Sequence, residues 1–470
     1  MILNNYEKEP SSFRDPSGFL FYHDGYIYRH IHQSYKAHYH QFIRSGLYEA
    51  LVKDHLIVQH QETNQKIIPS KDTHIIIKPE KIPFISYPYE WCFSQLKDAA
   101  LLTLKIQKKA LEFGLSLKDC SAYNTQFYKG SPIFIDTLSF EKYEKGHPWV
   151  AYRQFCQHFL APLALMAFKD IRLNQLLRVY IDGIPLDLAS TLLPFRTYRS
   201  LSLVSHIHSH AKSQTYFAEK NINNKTYQIS HQGLLGMIDN LETIVNKLNW
   251  VPPKTEWDAY YTKMNYTNDS FSHKQCIISE LINKINPTCV WDLGANTGLF
   301  SRIVSEKGIL TISFDIDPAC VETNYRNVKD KHETHILPLM IDLSNPSPDL
   351  GWGNCERQSF TRRGPVDTVL ALAIMHHLVI SNNVPFRNLA EFFSSICFWL
   401  IIEFIPKNDS QIQKLLITRE DIFHDYTKES FEKIFLDYFE IMSMNSIKNS
   451  QRIIYLMKKR EKQYNAKAKR

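Results

Sequence analysis

Residues Val290–Gly298 read VWDLGANTG, and LFSRIVSE follows as Leu299–Glu306. The first four residues form a short apolar strand, and the last eight have the apolar spacing of a helix. Between them the chain must turn sharply within a few residues. Gly294 and Gly298 suit that turn because glycine tolerates positive φ and lets another group approach the backbone closely. Asn296 is among the few residues that accept the left-handed conformation. The same rhythm continues outward from this turn. Leu310–Phe314 reads as the next strand, Ala319–Val328 as a helix, and His335–Ile341 and Val366–Ala371 as two further strands. Pro385–Ile396 reads as a helix that feeds the strand Phe398–Glu403. Such alternation implies a parallel sheet covered by helices. The end differs: Phe439–Ile447 and Gln451–Met457 read as a hairpin across Lys448-Asn449-Ser450.

Asp292, Gly294, Asn296 and Gly298 resemble the first motif of class I methyltransferases, D-x-G-x-G-x-G, with asparagine at the middle glycine. An antiparallel hairpin closing the sheet is another mark of that fold. The resemblance, from about Trp257 to Met457, implies S-adenosyl-L-methionine as cofactor. Asp292 would orient the loop and meet the cofactor's amino group. Asp315, at the end of the next strand in TISFDIDP, is placed to hold the ribose hydroxyls, with Asp317 as the alternate. Asp342 follows the third strand, where such enzymes place an acid near the adenine amino group; ordinary turn chemistry is its other reading. A dinucleotide site would require G-x-G-x-x-G, which the spacing of Gly294 and Gly298 does not supply.

Ligands of open α/β sheets sit beyond the carboxyl ends of the strands. His376 and His377, in AIMHHL after the fourth strand, are candidate acid–base groups. The alternative is a histidine that packs at a helix start. Glu403 ends the fifth strand; a buried carboxylate there requires a partner, so it serves either the acceptor or an ion pair. The loop Ser344–Gly364 carries Trp352, Arg357, Arg362 and Arg363, which could cap an anionic or planar acceptor. The Asn/Asp-Pro-Pro-aromatic signature of DNA amino-methyltransferases is missing, which argues against base methylation.

The N-terminal half reads α+β. Phe19–Tyr22 and Tyr26–Ile31 flank the turn His23-Asp24-Gly25, and Ser94–Phe113 reads as a long helix. Asp119 and Asn124 stand as D-x-x-x-x-N, with Asp136 twelve residues beyond Asn124. They resemble the catalytic and metal loops of protein-kinase-like phosphotransferases. There is no glycine-rich loop, no H-R-D histidine, and no strand lysine unless Arg29 replaces it. An Asn/Asp-rich turn between helix and hairpin is the alternative. His206, His208 and His210 alternate in SHIHSH and are expected on one polar strand face. No metal site is expected.

The formal charge is +7, but the tail after Met457, KKREKQYNAKAKR, holds seven Lys/Arg against one Glu. The rest is close to neutral, so charge gives no reason to expect a nucleic-acid enzyme. The eight cysteines show no C-x-x-C spacing, and the opening MILNNYEKEP does not read as a signal peptide. No apolar run is long enough to span a bilayer. A reducing cytoplasm is therefore expected.

FRDPSGF (13–19), YPYEWCFSQLKDAALLTLKIQ (87–107), SAYNTQF (121–127), FIDTLSF (134–140), QFCQHFLAPLAL (154–165), WDLGANTG (291–298), ALAIMHHL (371–378) and IIEFIPK (401–407) resemble the bacterial nodulation protein NoeA-like methyltransferase family. The expected fold is α/β: a Rossmann-like class I methyltransferase domain at 255–459, with a parallel sheet and an antiparallel terminal hairpin. An α+β, protein-kinase-like domain at 1–215 and a helical linker at 216–254 precede it, and a basic tail follows at 460–470. The resemblance implies methyl transfer to an acceptor not specified by the sequence, a small molecule or glycan rather than nucleic acid. The N-terminal half would choose that acceptor.

Overall fold

The computed structural model describes all residues except 1–5, 64–66, 69, 210–227, 254–267, 418–419 and 462–470. The chain forms two compact units. One comprises Met1–Val251 with Asp349–Arg357; the other comprises Pro252–Pro348 with Gln358–Arg470.

In the second unit, β10 (Cys289–Leu293), β11 (Leu310–Asp315), β12 (Ile336–Met340) and β13 (Val366–Ala371) run parallel with β14 (Cys397–Phe404). β15 (Phe439–Ser446) and β16 (Ile453–Lys459) close the sheet antiparallel, giving the order β12-β11-β10-β13-β14-β16-β15. This is the strand order of the class I methyltransferase fold. Parallel strands covered on both faces must be apolar throughout, as every residue of β12 is in burial. Ile278, Ile282, Val290, Val304, Leu370, Ile401 and Leu456 form one core across the sheet and its helices. The first two basic residues of the expected tail, Lys458 and Lys459, belong to β16; beyond 461 the tail lies outside the described residues.

Glu403 is fully buried. Lys274, from helix Asn268–Ile285, donates to it at 2.6 Å, and Arg452 lies 3.6 Å from its other oxygen. Arg452 also donates to Asp409 at 2.8 Å. This chain of charges ties the helix before β10 to β14 and to the entry of β16.

In the first unit, β1 (Glu7–Lys8), β2 (Gly18–His23), β3 (Tyr26–His32), β4 (His60–Thr63) and β5 (Thr73–Pro79) form an antiparallel sheet in the order β1-β2-β3-β5-β4. The β2–β3 turn closes through Asp24 and Gly25, both at positive φ, the geometry a two-residue hairpin requires. Helices Lys36–Arg44 and Leu47–Lys53 lie between β3 and β4 in the chain. The helix Phe93–Glu112 follows the sheet. Then come two ribbons, β6 (Leu115–Leu117) with β9 (Phe140–Lys142) and β7 (Thr125–Tyr128) with β8 (Ser131–Phe134). This succession is α+β, as expected, with the helix pair between β3 and β4 and the long helix after β5 where a protein-kinase-like plan would put them.

Three expectations are corrected. The helix expected in the linker, His231–Lys247, belongs to the first unit: it packs on Phe93–Glu112, its Leu234, Ile238 and Leu241 are buried, and Lys108 pairs with Asp239 at 2.6 Å and with Glu242. His206 and His208 lie not on a strand but in a π-helical turn, Val204–His208. His206 bonds Tyr152 (2.6 Å) and Asn240 (2.8 Å), and His208 bonds Ser190 (2.7 Å) and Thr197 (3.0 Å); His210 lies outside the described residues. The loop Ser344–Gly364 is not a single cap, because its middle, Asp349–Arg357, belongs to the first unit.

Removing one partner of a buried ion pair strands the other charges. Glu403→Ala is therefore expected to destabilise the second unit by about 3–5 kcal/mol. A urea melt of the full chain followed by tryptophan fluorescence checks this; an unchanged midpoint contradicts it.

Candidate functional site

The order of the sheet reverses at β10, whose neighbours are β11 and β13, and such a reversal is where open α/β sheets bind ligands, beyond the carboxyl ends of the strands. The turn after β10 is fixed by backbone bonds. The amides of Gly294 and Ala295 both donate to the Phe314 carbonyl at 2.9 Å. Gly294 (φ +77°) and Gly298 (φ +80°) are left-handed, and so is Asn296 (φ +52°). A Cβ on Gly294 would stand 2.7 Å from Ile374, and one on Gly298 would stand 2.5 Å from the Asn324 amide. The requirement for glycine therefore comes from conformation and from protein neighbours, before any ligand is considered.

Asp292 is buried, and its Oδ2 accepts the Ser301 hydroxyl at 2.6 Å; Ser313 in turn donates to Ser301 at 2.6 Å. Burial pushes the Asp292 carboxyl up to about 6, the Ser301 bond opposes this, and Asp315 adds to it. Asp315 is only partly buried. Its Oδ2 accepts the Asn296 amide at 2.7 Å and its Oδ1 the Asp317 amide at 2.9 Å, so each oxygen keeps capacity for a further donor. Burial pushes this carboxyl, too, up to about 6. Asp317, the alternate for Asp315, is the N-cap of the helix Pro318–Asp330: its Oδ1 accepts the Ala319 amide at 2.8 Å, and its Oδ2 is buried with no hydrogen-bond partner among the described residues. Asp342 uses Oδ1 to close a turn on Ser344, through the amide at 2.8 Å and the hydroxyl at 2.6 Å. Its turn chemistry is thus present, with Oδ2 making no hydrogen bond among the described residues.

His376 and His377 follow β13, their rings 4.1 Å apart. His376 is buried and its Nδ1 has no partner; burial, with His377 next, holds its pKa well below the ordinary histidine range. His377 is less buried, and burial lowers its pKa as well, so it is neutral at neutral pH. Glu403 is a correction: Lys274 and Arg452 occupy it in a fully buried network, which leaves it no access to an acceptor. Sequence reading missed Lys274, Ser301, Ile374 and Asn324. Only a lysine at an apolar face of an amphipathic helix hinted at the first.

In the first unit, Asn124 donates to the Ser139 hydroxyl at 3.2 Å, and that hydroxyl donates to Asp136. Arg29, on β3, pairs with Asp136 at 2.5 Å and with Asp15 at 3.2 Å. Asp119 accepts from the Ser121 amide at 2.9 Å and from Gln154 at 2.8 Å. Arg357 stacks on Tyr123, its guanidinium 3.9 Å from the ring centre, and so is not a free capping residue as expected. Trp352 is 76% exposed, and Arg362 is exposed. Among the described residues no cluster of three or more His, Cys, Asp or Glu could hold a metal ion, and no helix is long and apolar enough to cross a membrane.

The nodulation protein NoeA of Rhizobium meliloti (strain 1021) is 33% identical to this chain over 459 residues, covering 96% of each. No family model matches. Among solved structures, magnesium protoporphyrin IX methyltransferase (ChlM) from Synechocystis PCC 6803 is 18% identical, covers 43% of this chain and 93% of its own, and has a TM-score of 0.32. N-methyltransferase NodS from Bradyrhizobium japonicum WM9 is 10% identical over 41% of this chain and 98% of its own, at 0.30. The bifunctional kinase-methyltransferase WbdD is 13% identical over 46% and 45%, at 0.29.

Gly294→Ala is expected to displace the turn, because it combines a strained φ with a clash against Ile374. The cost is about 1–3 kcal/mol, read as a lower denaturation midpoint. Gly236→Ala, a helical glycine with open space around it, is the control and leaves the midpoint unchanged or higher.

Proposed function

The chain belongs to the nodulation protein NoeA family, and from that premise we propose that it is an S-adenosyl-L-methionine-dependent methyltransferase, with chemistry performed by the second unit. The observation that carries this reading is the left-handed Gly294–Gly298 turn beside Asp315 at the end of the adjoining strand. The residues fit the cofactor. The two left-handed glycines keep the turn tight beside the strand ends, and a partly buried carboxylate with spare lone pairs suits two neighbouring hydroxyls. Asp315 would hold the ribose, the free oxygen of Asp342 the adenine amino group, and the loop after Asp292 the methionine end. When bound, the cofactor supplies a methyl group on a cationic sulfur, already activated for transfer.

The protein's contribution is then positioning and proton management. His377, neutral and less buried than its neighbour, would accept the proton an acceptor loses. His376, with no partner at Nδ1, would pack behind it. We propose a small molecule or glycan as acceptor. Outside its tail the chain is near neutral, and a base-methylation signature is missing after β13. The first unit would help choose that acceptor. None of the eight cysteines, all among the described residues, is in a disulfide, which suits a cytoplasmic setting. The kinase plan of the first unit supports a second reading, a bifunctional enzyme that also transfers phosphate, but Arg29 and Ser139 already engage both oxygens of Asp136.

Asp315→Ala is expected to weaken binding of S-adenosyl-L-methionine to the full chain by about 1.5–3 kcal/mol in calorimetry; equal affinity rejects the ribose assignment. Ionised Asp315 is the better acceptor and its pKa is about 6, so affinity is flat at higher pH. It falls by up to roughly tenfold per unit as pH drops through that value. Asp315→Asn is expected to give a shallower profile.

His377→Ala is expected to leave cofactor affinity intact and slow turnover roughly 100-fold. The readout is transfer of isotope-labelled methyl to metabolite and glycan extracts; full turnover by this variant rejects the role. If no label moves with the wild type, although the cofactor binds, the protein is a binding protein and the enzyme reading is wrong.

A further inference from the structure

We propose that Arg29 marks an anion site that the chain fills with its own Asp15, and that this site takes a nucleoside polyphosphate only when the loop Glu9–Ser17 is released. Arg29 lies on the third strand of a kinase-type sheet, where kinases carry the lysine that meets the nucleotide phosphates. In kinases the loop above is rich in glycine and closes flexibly over those phosphates. Here the loop reads EPSSFRDPS, with two prolines and no glycine. It delivers a carboxylate to the place where a phosphate would bind: Asp15 Oδ2 lies 3.2 Å from the Arg29 guanidinium.

The loop is held at many points. Leu20 N donates to Ser12 Oγ at 2.8 Å, Ser17 N to Asp15 Oδ1 at 2.8 Å, and Lys118 Nζ to Ser17 Oγ at 3.1 Å. Next to Asp15, Arg14 forms a two-pronged bond with Glu356, at 2.6 and 2.7 Å. Glu356 is itself buried and accepts the Trp352 amide at 2.6 Å. The segment 349–357 therefore latches the loop shut.

Arg29 keeps unused capacity. Its Nε is buried and has no acceptor, although two carboxylates already face the group. A phosphate has more oxygens and more charge than one carboxylate and would satisfy a planar guanidinium better. Of the two carboxylates, Asp15 is the displaceable one: its side chain is 28% exposed, against 12% for Asp136, which Ser139 and the Leu138 amide also hold.

The test is fluorescence titration of the full chain with a trinitrophenyl analogue of ATP, without magnesium, with a thermal melt of every variant. Wild type is expected to bind weakly. Asp15→Asn, nearly isosteric, is expected to bind on the order of tenfold more tightly, and Glu356→Gln, which loosens the latch from the other end, is expected to bind more tightly too. Adding Arg29→Ala to Asp15→Asn abolishes the gain. Wild-type binding as tight as that of Asp15→Asn, no gain in folded Asp15→Asn, or a gain that survives Arg29→Ala or requires magnesium overturns the proposal. None of these measurements depends on methyl transfer.

Discussion

The site of the second unit depends on how one strand is joined to the next helix. β10 ends at Leu293 and the helix begins at Leu299, so five residues must reverse the chain above the sheet. The reversal is held by the Phe314 carbonyl, which takes two amides, and by Asp315, which takes a third. Strand β11 thus templates the turn of β10. The carboxylate that would grip a ligand is the one that shapes the loop beside it. Replacing Asp315 alters both at once, which is why the aspartate-to-asparagine substitution, which keeps an acceptor oxygen, is the more informative one.

Much of the second unit was legible because its signals are local. Strand lengths, the glycine spacing and the terminal hairpin can be read within windows of ten residues, and the strand order follows from the family pattern. What could not be read depended on distance. Glu403 was visible as a buried carboxylate in need of a partner. That its partners are Lys274 and Arg452, from residues 129 positions earlier and 49 later in the chain, is a property of packing. The same holds for Asp317: only the helix geometry reveals that it is a cap. The SHIHSH histidines misled because alternation of polar residues suits a strand, whereas the capped turn before them and the bonds of His206 and His208 to distant side chains fix a helix.

In the first unit the α+β plan was legible in fragments, as a hairpin and a long helix, and the Asp–Asn–Asp spacing pointed to a kinase-like arrangement. The departures from it carry physical meaning. A glycine-rich loop keeps its freedom for a ligand and loses conformational entropy on binding. The loop Glu9–Ser17 has given up that freedom in advance, through proline, side-chain bonds to its own backbone, and charge pairs. Its ordering is set on folding, before any ligand arrives.

The segment 349–357 has a consequence for synthesis. A ribosome delivers the chain from the N-terminus, and the first unit lacks its final piece until residue 357 has emerged. At that moment β10, β11 and β12 exist, whereas β13, β14 and the closing hairpin do not. The edge of β10 that will receive β13 stands unpaired, as does the apolar face of the half-sheet, and such edges invite pairing with other chains. Completion of the first unit therefore precedes completion of the second in the order of translation. An open strand edge persists after β13 arrives, and passes to β14 until the closing hairpin pairs with it.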